Sequence, residues 1–440
     1  MGEVEQKAAR ARQASFILSA IGPDIRDRAL QSIASALDGA RDGIKRANEL
    51  DMKSAREESL PAPLLKRLLL DDGKISQLID GLKALTALPD PLGTVTLCRE
   101  LTEGLILKRV TCPIGVLGIV FESRPDALVQ IASLALKSGN AALLKGGREA
   151  ANSNRALFEV MDKAVREAGI PEGWASLLFS RDDVTEMLAQ DAYIDLIIPR
   201  GSNAFVRYIM DHTHIPVMGH ADGLCHTYID RSADIGMALR VTVDAKTQAY
   251  AVCNATETLL VHSEIMERAL PPIYEALKAK NVRLLGDERV RAVIPCEEAT
   301  EEDWRTEYLA PVLSIRTVDS VREAVEHINR YGSHHTDAII AQDQEAQRYF
   351  TAHVDSAGVY VNCSTRFADG YRYGFGAEVG IATGKLHARG PVGLEGLCTY
   401  KYVLSGSGHT VADTVDGTVA FTHRDLSPEE AQTYTQGSCS

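Results

Sequence analysis

The residue with the greatest chemical reach in this sequence is Cys253. It lies in Ala-Tyr-Ala-Val-Cys253-Asn254-Ala-Thr-Glu-Thr, where one run of alternating strands and helices ends and another begins. A thiol at such a junction is expected to face a cleft between two α/β domains, where small-molecule sites concentrate. The following turn opens a new element, so backbone N–H groups around Cys253 and Asn254 are expected to lower the thiol pKa and to hold an oxyanion. That combination points to covalent catalysis. A cysteine packed as core filler is the reading that the residue alone leaves open.

Other motifs carry less. Gly374-Phe-Gly376-Ala-Glu-Val-Gly380 misses the dinucleotide fingerprint by one residue and lacks its strand–helix context, so it reads as a tight loop. Gly380-Ile-Ala-Thr-Gly384-Lys385 is too short for a phosphate-binding P-loop and has no Ser or Thr after the lysine, which argues against kinase and ATPase chemistry. The histidines, His334-His335 among them, form no HExxH pattern. Eight cysteines, at 98, 112, 225, 253, 296, 363, 398 and 439, form no CxxC and no zinc spacing with histidine, so no metal is expected. They read as reduced thiols of a cytoplasmic protein.

The elements that must position Cys253 follow from periodicity and breakers. Residues 3 to 90 have helical composition and spacing and stop at Leu88-Pro-Asp-Pro-Leu-Gly93. Residues 95 to 110 read as a hairpin turning at Glu103-Gly104. Strands are predicted at 115–121, 141–144, 175–179, 194–198, 215–218 and 226–229, and a helix at 232–246 closes this first series. The second series has strands at 257–261, 282–285, 312–317, 336–341 and 357–361 with helices between them. Such alternation argues for two parallel-sheet α/β domains. Residues 362 to 400 are too long for a plain connection and are expected to be functional. The last dozen residues are expected to be mobile.

Composition removes whole classes of function. The 440 residues are 45% hydrophobic and 24% charged, an ordinary globular balance that excludes wholesale disorder. The net charge of −13 without a basic block argues against nucleic acid and anionic membranes as partners. The first residues lack the apolar core of a signal peptide, and the longest apolar run, 114–121, is too short to span a bilayer.

Seven stretches resemble one family, in its order: GVLGIVFESRPDALVQIASLALKSGNAALLKGGREAANSN, DLIIPRGSNAFV, GHADGLCHTYID, VCNATETLLVH, EYLAPVLSI, VNCSTRFADGYRYGFGAEVG and TGKLHARGPVGLEGL. From about residue 10 to 425 the chain is similar to the gamma-glutamyl phosphate reductases, also called glutamate-5-semialdehyde dehydrogenases, a branch of the aldehyde dehydrogenase superfamily. Its later part, GSGHTVADTVDGTVAFTHRDL, looks most like the reductase half of the bifunctional plant enzyme, and the kinase half is absent. The resemblance implies NADPH-dependent reduction of L-glutamyl 5-phosphate to L-glutamate 5-semialdehyde with loss of phosphate, in proline biosynthesis, through a Cys253 thioester. It further implies an aldehyde-dehydrogenase-like fold. Residues 1–94 and 111–249 would form the NADP-binding domain and 250–375 the catalytic domain. Residues 95–110 and 376–440 would supply a small β oligomerisation module and substrate loops, and a homo-oligomer is expected because a hairpin edge invites pairing.

Site residues carry over by motif. Lys145 matches the superfamily lysine that holds the adenosine ribose. Arg148 stands where a glutamate would select NAD, and a cation there suits the 2′-phosphate of NADP; a solvated helix residue is the alternative. Arg200, Gly201 and Ser202 match the loop under the pyrophosphate. Glu307 matches the glutamate that grips the nicotinamide ribose. Cys253 and Asn254 carry the catalytic motif, and Arg124 occupies the place of the oxyanion asparagine, where it either stabilises charge or pins its loop. Asn362, Ser364, Thr365, Arg366 and Phe367 form the substrate loop, with Arg366 the natural partner of a carboxylate or phosphate and the hydroxyls as donors. His220 sits at or beside the position of the glutamate that activates water in the hydrolytic relatives, so phosphate exchange is expected over hydrolysis. His387-Ala-Arg389-Gly-Pro also matches, without an assigned role. A hydrolytic aldehyde dehydrogenase and a non-catalytic NADP-binding subunit that docks a glutamate 5-kinase are the competing readings.

Overall fold

The structure is a computed structural model and describes residues 2–427 and 430, apart from 123, 221 and 418. The mobility expected of the last dozen residues falls outside the described positions, Glu430 excepted. Five helices open the chain: α1 (Glu3–Leu18), α2 (Pro23–Gly39), α3 (Arg41–Glu57), α4 (Ala62–Leu68) and α5 (Asp72–Ala87). Pro23 starts α2, where the missing N–H costs no hydrogen bond, and Asp71 caps α5 by accepting from Lys74 N. The predicted hairpin follows as β1 (Val95–Thr102) and β2 (Leu105–Pro113).

Alternation then sets in. Its first part is β3 (Val116–Phe121), α6 (Pro125–Lys137), β4 (Ala141–Lys145), α7 (Ala151–Glu167), β5 (Ala175–Leu178), α8 (Arg181–Leu188), β6 (Leu196–Arg200) and α9 (Asn203–Asp211). The second is β7 (Cys225–Ile229), α10 (Ile235–Thr247), β8 (Thr256–His262), α11 (Met266–Lys278), β9 (Arg283–Gly286), α12 (Glu288–Arg291), β10 (Glu297–Glu298), β11 (Val312–Val318), α13 (Val321–Tyr331), β12 (Thr336–Ile340), α14 (Gln344–His353) and β13 (Gly358–Val361). A short hairpin of β14 (Gly380–Ala382) and β15 (Gly390–Val392) precedes β16 (Cys398–Ser405), α15 (Val411–Val415) and β17 (Arg424–Asp425). No helix among the described residues is long and apolar enough to cross a membrane.

The chain forms two compact units. The first comprises residues up to Ile197, His214–Pro216 and the chain from Leu394 onward; the second comprises Ile198–Thr213 and Val217–Gly393.

In the first unit, the sheet order is β5-β4-β3-β6, with β3, β4 and β5 parallel. All six residues of β3 are buried, as a strand covered on both faces requires. The helical segment is tied to this sheet layer by Asp51, which accepts from Ser153 N at 2.8 Å and Ser153 Oγ at 2.6 Å at the start of α7. A second, antiparallel sheet has the order β16-β2-β1-β17. Here the structure differs from the expectation of an exposed hairpin edge. β16 pairs with β2 from Cys398↔Pro113 to Ser405↔Ile106, and β17 pairs with β1 at Arg99↔Asp425, so both hairpin edges are covered within the chain. The β16 segment escaped prediction because most of its side chains are exposed and it lacks the apolar alternation that marks a strand.

In the second unit a seven-stranded sheet runs β10-β9-β11-β8-β7-β12-β13, parallel throughout. Successive residues of a strand point to opposite faces. Leu259 and Val261 accordingly join the core under α10 and α11, while Leu260 joins the core with Ile328 of α13 and Phe350 of α14. The first series was expected to close with the helix at 232–246. β7 instead pairs with β8 and β12, so it and α10 belong to the second sheet; local alternation does not show which sheet a strand joins. Residues 215–218 hold only an isolated bridge at Val217.

Leu259→Ala, at the centre of this sheet, should destabilise the protein by about 3 kcal/mol. Leu386, 94% exposed, should tolerate alanine with a change below about 0.5 kcal/mol. Thermal or denaturant unfolding measures both, and equal shifts would contradict the assigned packing.

Candidate active site

Cys253 sits on a turn between α10 and β8, closed by Ala255 N donating to Val252 O at 3.1 Å. The turn passes directly against Gly223, where an added Cβ would stand 2.3 Å from Cys253 O and 2.4 Å from its Cα. Only glycine admits that approach. Cys225 Sγ donates to Cys253 O at 3.2 Å from beneath. The Cys253 side chain is half-buried. Burial, followed by the charges of Glu307 and Glu378, pushes its thiol up to about 12, with Arg200 pulling the other way. This corrects the expectation of a lowered pKa: desolvation and two carboxylates outweigh the nearby N–H groups.

The 362–368 loop is stapled to this turn. Thr365 Oγ1 donates to Asn254 O at 2.7 Å, and Asn254 Nδ2 donates to Ala368 O at 2.8 Å. Thr365 Oγ1 also meets Thr256 Oγ1 at 3.2 Å, which meets Thr227 Oγ1 at 2.8 Å. These bonds revise the expected roles. Thr365 is fully buried, and its hydroxyl serves the staple rather than a ligand. Ser364 Oγ caps the short turn at Arg366 N, and Asn362 bridges Ala341 through both N and O of that residue. Arg366 is buried in the same loop. Its Nε donates to Gln248 Oε1 at 2.9 Å, which orients the guanidinium, and burial, followed by the charge of Arg372, lowers its pKa. Phe367 is exposed beside it.

Around Glu307 the same unit assembles a second cluster. Asn203 Nδ2, at the start of α9, donates to Glu307 Oε2 at 2.8 Å and to Asp222 Oδ1 at 2.7 Å. Ser202 is the N-cap residue of α9 and makes no side-chain cap bond; Arg200 and Gly201 precede it. Glu257 and Lys246 form a buried ion pair, and Glu257 also accepts from Leu309 N at 3.3 Å, two residues beyond Glu307. Arg389 donates to Asp355 Oδ1 at 3.0 Å and Lys385 pairs with Asp355 at 2.7 Å, which anchors the segment before β15.

His220 and His335 complete the surroundings of the sulfur. One ligand-capable atom each of His220, Cys253 and His335 lies within 4.8 Å of the other two. His220 Nδ1 donates to Ile381 O at 2.8 Å, and burial lowers the ring's pKa. The ring is therefore neutral at pH 7, with Nε2 as its lone-pair nitrogen. His335 is fully buried, its Nδ1 lies 3.0 Å from Thr336 Oγ1, and burial lowers it to about 3.

The remaining sequence-derived residues lie in the first unit. Lys145 ends β4 half-buried, and burial lowers its pKa. Arg148 is exposed and pairs with Glu58 at 3.0 Å. Arg124 donates to Asp126 Oδ2 at 2.7 Å in the first turn of α6, so it does pin its loop.

The aldehyde dehydrogenase family model matches residues 2–294 and 296–402. A gamma-glutamyl phosphate reductase of Acetivibrio thermocellus is 56% identical over 426 residues, 97% of this chain and 99% of that protein. The chain belongs to the aldehyde dehydrogenase family, among its gamma-glutamyl phosphate reductases. The enzyme of that name from Synechocystis sp. is 54% identical over 95% of this chain and 97% of its own. The crystal structure of the reductase from Thermotoga maritima superposes with a TM-score of 0.91 at 40% identity, over 93% of this chain and 100% of that one. An acetylating aldehyde dehydrogenase from Geobacillus thermoglucosidasius, 18% identical with a TM-score of 0.64 over 93% of this chain and 97% of its own, shares the fold.

Set on that family's fold, the site contains residues that sequence reasoning passed over. Glu378 lies inside a quoted motif yet drew no role, and Asn203, expected in the pyrophosphate loop, instead steadies Glu307 and Asp222. Gln248, Lys246 and His335 had no motif to reveal them, because each acts through a contact made by folding.

The carboxylate field around the sulfur is testable. At pH 7 only about 10⁻⁵ of a thiol with so high a pKa is thiolate. Alkylation of Cys253 by iodoacetamide in the ligand-free enzyme should climb steadily from pH 7 to 10 without a plateau. Glu307→Gln removes a charge that raises the thiol pKa, so it should speed alkylation at pH 8 by up to roughly tenfold, and Arg200→Ala should slow it. A plateau near pH 7 would contradict this electrostatic picture.

Proposed function

We propose that this enzyme reduces L-glutamyl 5-phosphate to L-glutamate 5-semialdehyde with NADPH and releases phosphate, a step of proline biosynthesis. The observation that carries the reading is the stapling of the Cys253 turn to the loop bearing Arg366. Nucleophile and anion-recognising cation thereby share one rigid framework. Curated relatives bearing the reductase name match nearly the full length, which supports the same substrate class.

Arg366 binds a carboxylate or phosphate of the substrate, its fork oriented by Gln248. The Cys253 sulfur attacks the acyl carbon; the C–S bond forms, the C–O bond to phosphate breaks, and phosphate leaves. His220, neutral and aligned by Ile381, takes the thiol proton at Nε2. The thioester on Cys253 carries no anionic group beside its carbonyl carbon, unlike the acyl phosphate, so it accepts hydride more readily. Bound NADPH supplies that hydride. The thiohemiacetal on Cys253 then collapses with C–S cleavage, and the sulfur regains its proton from His220.

In each unit taken by itself, residues suit parts of such a cofactor. Lys145 is a half-buried ammonium at a strand end, suited to ribose hydroxyls, and Arg148 is an exposed cation suited to a 2′-phosphate. The uncapped first turn of α9 suits a pyrophosphate, and the Glu307 carboxylate, steadied by Asn203, suits the second ribose. The exposed Tyr400, Tyr402 and Leu404 of β16 support assembly into a homo-oligomer, and a labile acyl phosphate favours delivery from a glutamate 5-kinase.

The reverse reaction tests the proposal. With glutamate semialdehyde and NADP, NADPH should appear only when phosphate is added; formation without phosphate would favour the hydrolytic reading. Cys253→Ala should lose roughly 10⁴-fold in rate, and retained turnover would refute covalent catalysis. Arg148→Glu should shift preference toward NADH by about tenfold or more, and an unchanged preference would show the arginine idle.

A further inference from the structure

We infer that His220, Cys253 and His335 form a binding site for a thiophilic divalent cation of the zinc class. The three side chains come from the segment before β7, the turn before β8 and the residue before β12. Their ligand atoms lie within 4.8 Å of one another. A tetrahedral zinc with one sulfur and two nitrogens needs ligand separations of about 3.3–3.7 Å. Side-chain shifts of about 1 Å close that gap.

The two rings are prepared as ligands. Nδ1 of His220 is committed to Ile381 O and Nδ1 of His335 faces Thr336 Oγ1, so each ring is oriented by a partner outside the site. The Nε2 of His335 is buried with no hydrogen-bond partner among the described residues, in a ring that is fully buried. A buried imidazole nitrogen without a partner is costly, and a metal bond satisfies it. The edge-to-face packing of His220 on His335, with centroids 5.0 Å apart, keeps both rings together. Cations are favoured by the carboxylates of Glu307 and Glu378 that act on the sulfur and opposed by Arg200. A cavity of about 350 Å³, lined by Met218, His220, Asp222, His334, Thr383 and Leu386, gives an ion access to the His220 side of the site. Spacing along the chain conceals the site, since the ligands are far apart in sequence.

On binding, the S–H bond of Cys253 breaks, its proton passes to buffer, and a metal–sulfur bond forms, with two neutral imidazoles completing three protein ligands. No electrons are transferred. The consequence for activity rests on the proposed role of Cys253: a metal-bound sulfur cannot attack the substrate, so zinc should inhibit reversibly and a chelator should restore turnover.

The test uses the full-length enzyme with cobalt(II), a spectroscopically visible substitute for zinc. One equivalent of cobalt should produce a near-ultraviolet sulfur-to-cobalt charge-transfer band, which zinc then displaces. The band should vanish in Cys253→Ser, and His335→Ala should weaken zinc inhibition, relative to its own uninhibited rate, by about tenfold or more. If His335→Ala does not fold, the cobalt spectrum of the wild type against Cys253→Ser decides. A cobalt spectrum without the thiolate band, or zinc inhibition unchanged in His335→Ala, would overturn the site. The thiolate band together with undiminished turnover would support the metal site and instead count against the catalytic role of Cys253.

Discussion

The staple between the Cys253 turn and the 364–368 loop is the constraint on which the rest of the site depends. A single hydroxyl, Thr365 Oγ1, donates to the carbonyl of Asn254, and the Asn254 amide returns a bond to Ala368 O. Such bonds contribute only about 1 kcal/mol each to stability. Their larger effect is positional, because they fix the Cys253 turn against the loop bearing Arg366, although the two are more than a hundred residues apart. Effective concentration of reacting groups is where an acyl-transfer enzyme gains most, and misplacement by an ångström is expensive.

Electrostatics at the sulfur follow from the same packing. The thiol is half-buried and lies in the field of two carboxylates, so the ligand-free enzyme keeps it protonated. A protonated thiol resists adventitious oxidation and alkylation. In the proposed mechanism the neutral imidazole of His220 accepts the thiol proton, and in the proposed metal site it joins His335 and the sulfur as a ligand. Both proposals thus rest on one arrangement.

Much of this architecture was legible in the residues. The βα alternation from β3 to β13 is written in apolar runs of strand length and amphipathic helices, and those elements formed close to their expected bounds. Cys253 stood out because it falls at a junction of elements. The assignment of β7 to the second sheet was not legible, since strand partners are set by tertiary packing. β16 was hidden by its exposed side chains. Within the site, side-chain type suggested ligand roles for Thr365 and Asn362, whose polar groups instead satisfy buried backbone. A hydroxyl or an amide serves either purpose, and only burial distinguishes them. His335 carried no signal at all, because its meaning arises from contact with His220 and the sulfur.

The central claim is that the acyl group rests on Cys253. Acid quenching of the enzyme after mixing with glutamate semialdehyde and NADP in phosphate-free buffer, followed by peptide mass spectrometry, tests it most directly. The account predicts a glutamyl adduct on the peptide carrying Cys253 that disappears when phosphate is added before the quench. An unmodified Cys253 in an enzyme that turns over on phosphate addition, or an adduct on another residue, would contradict it.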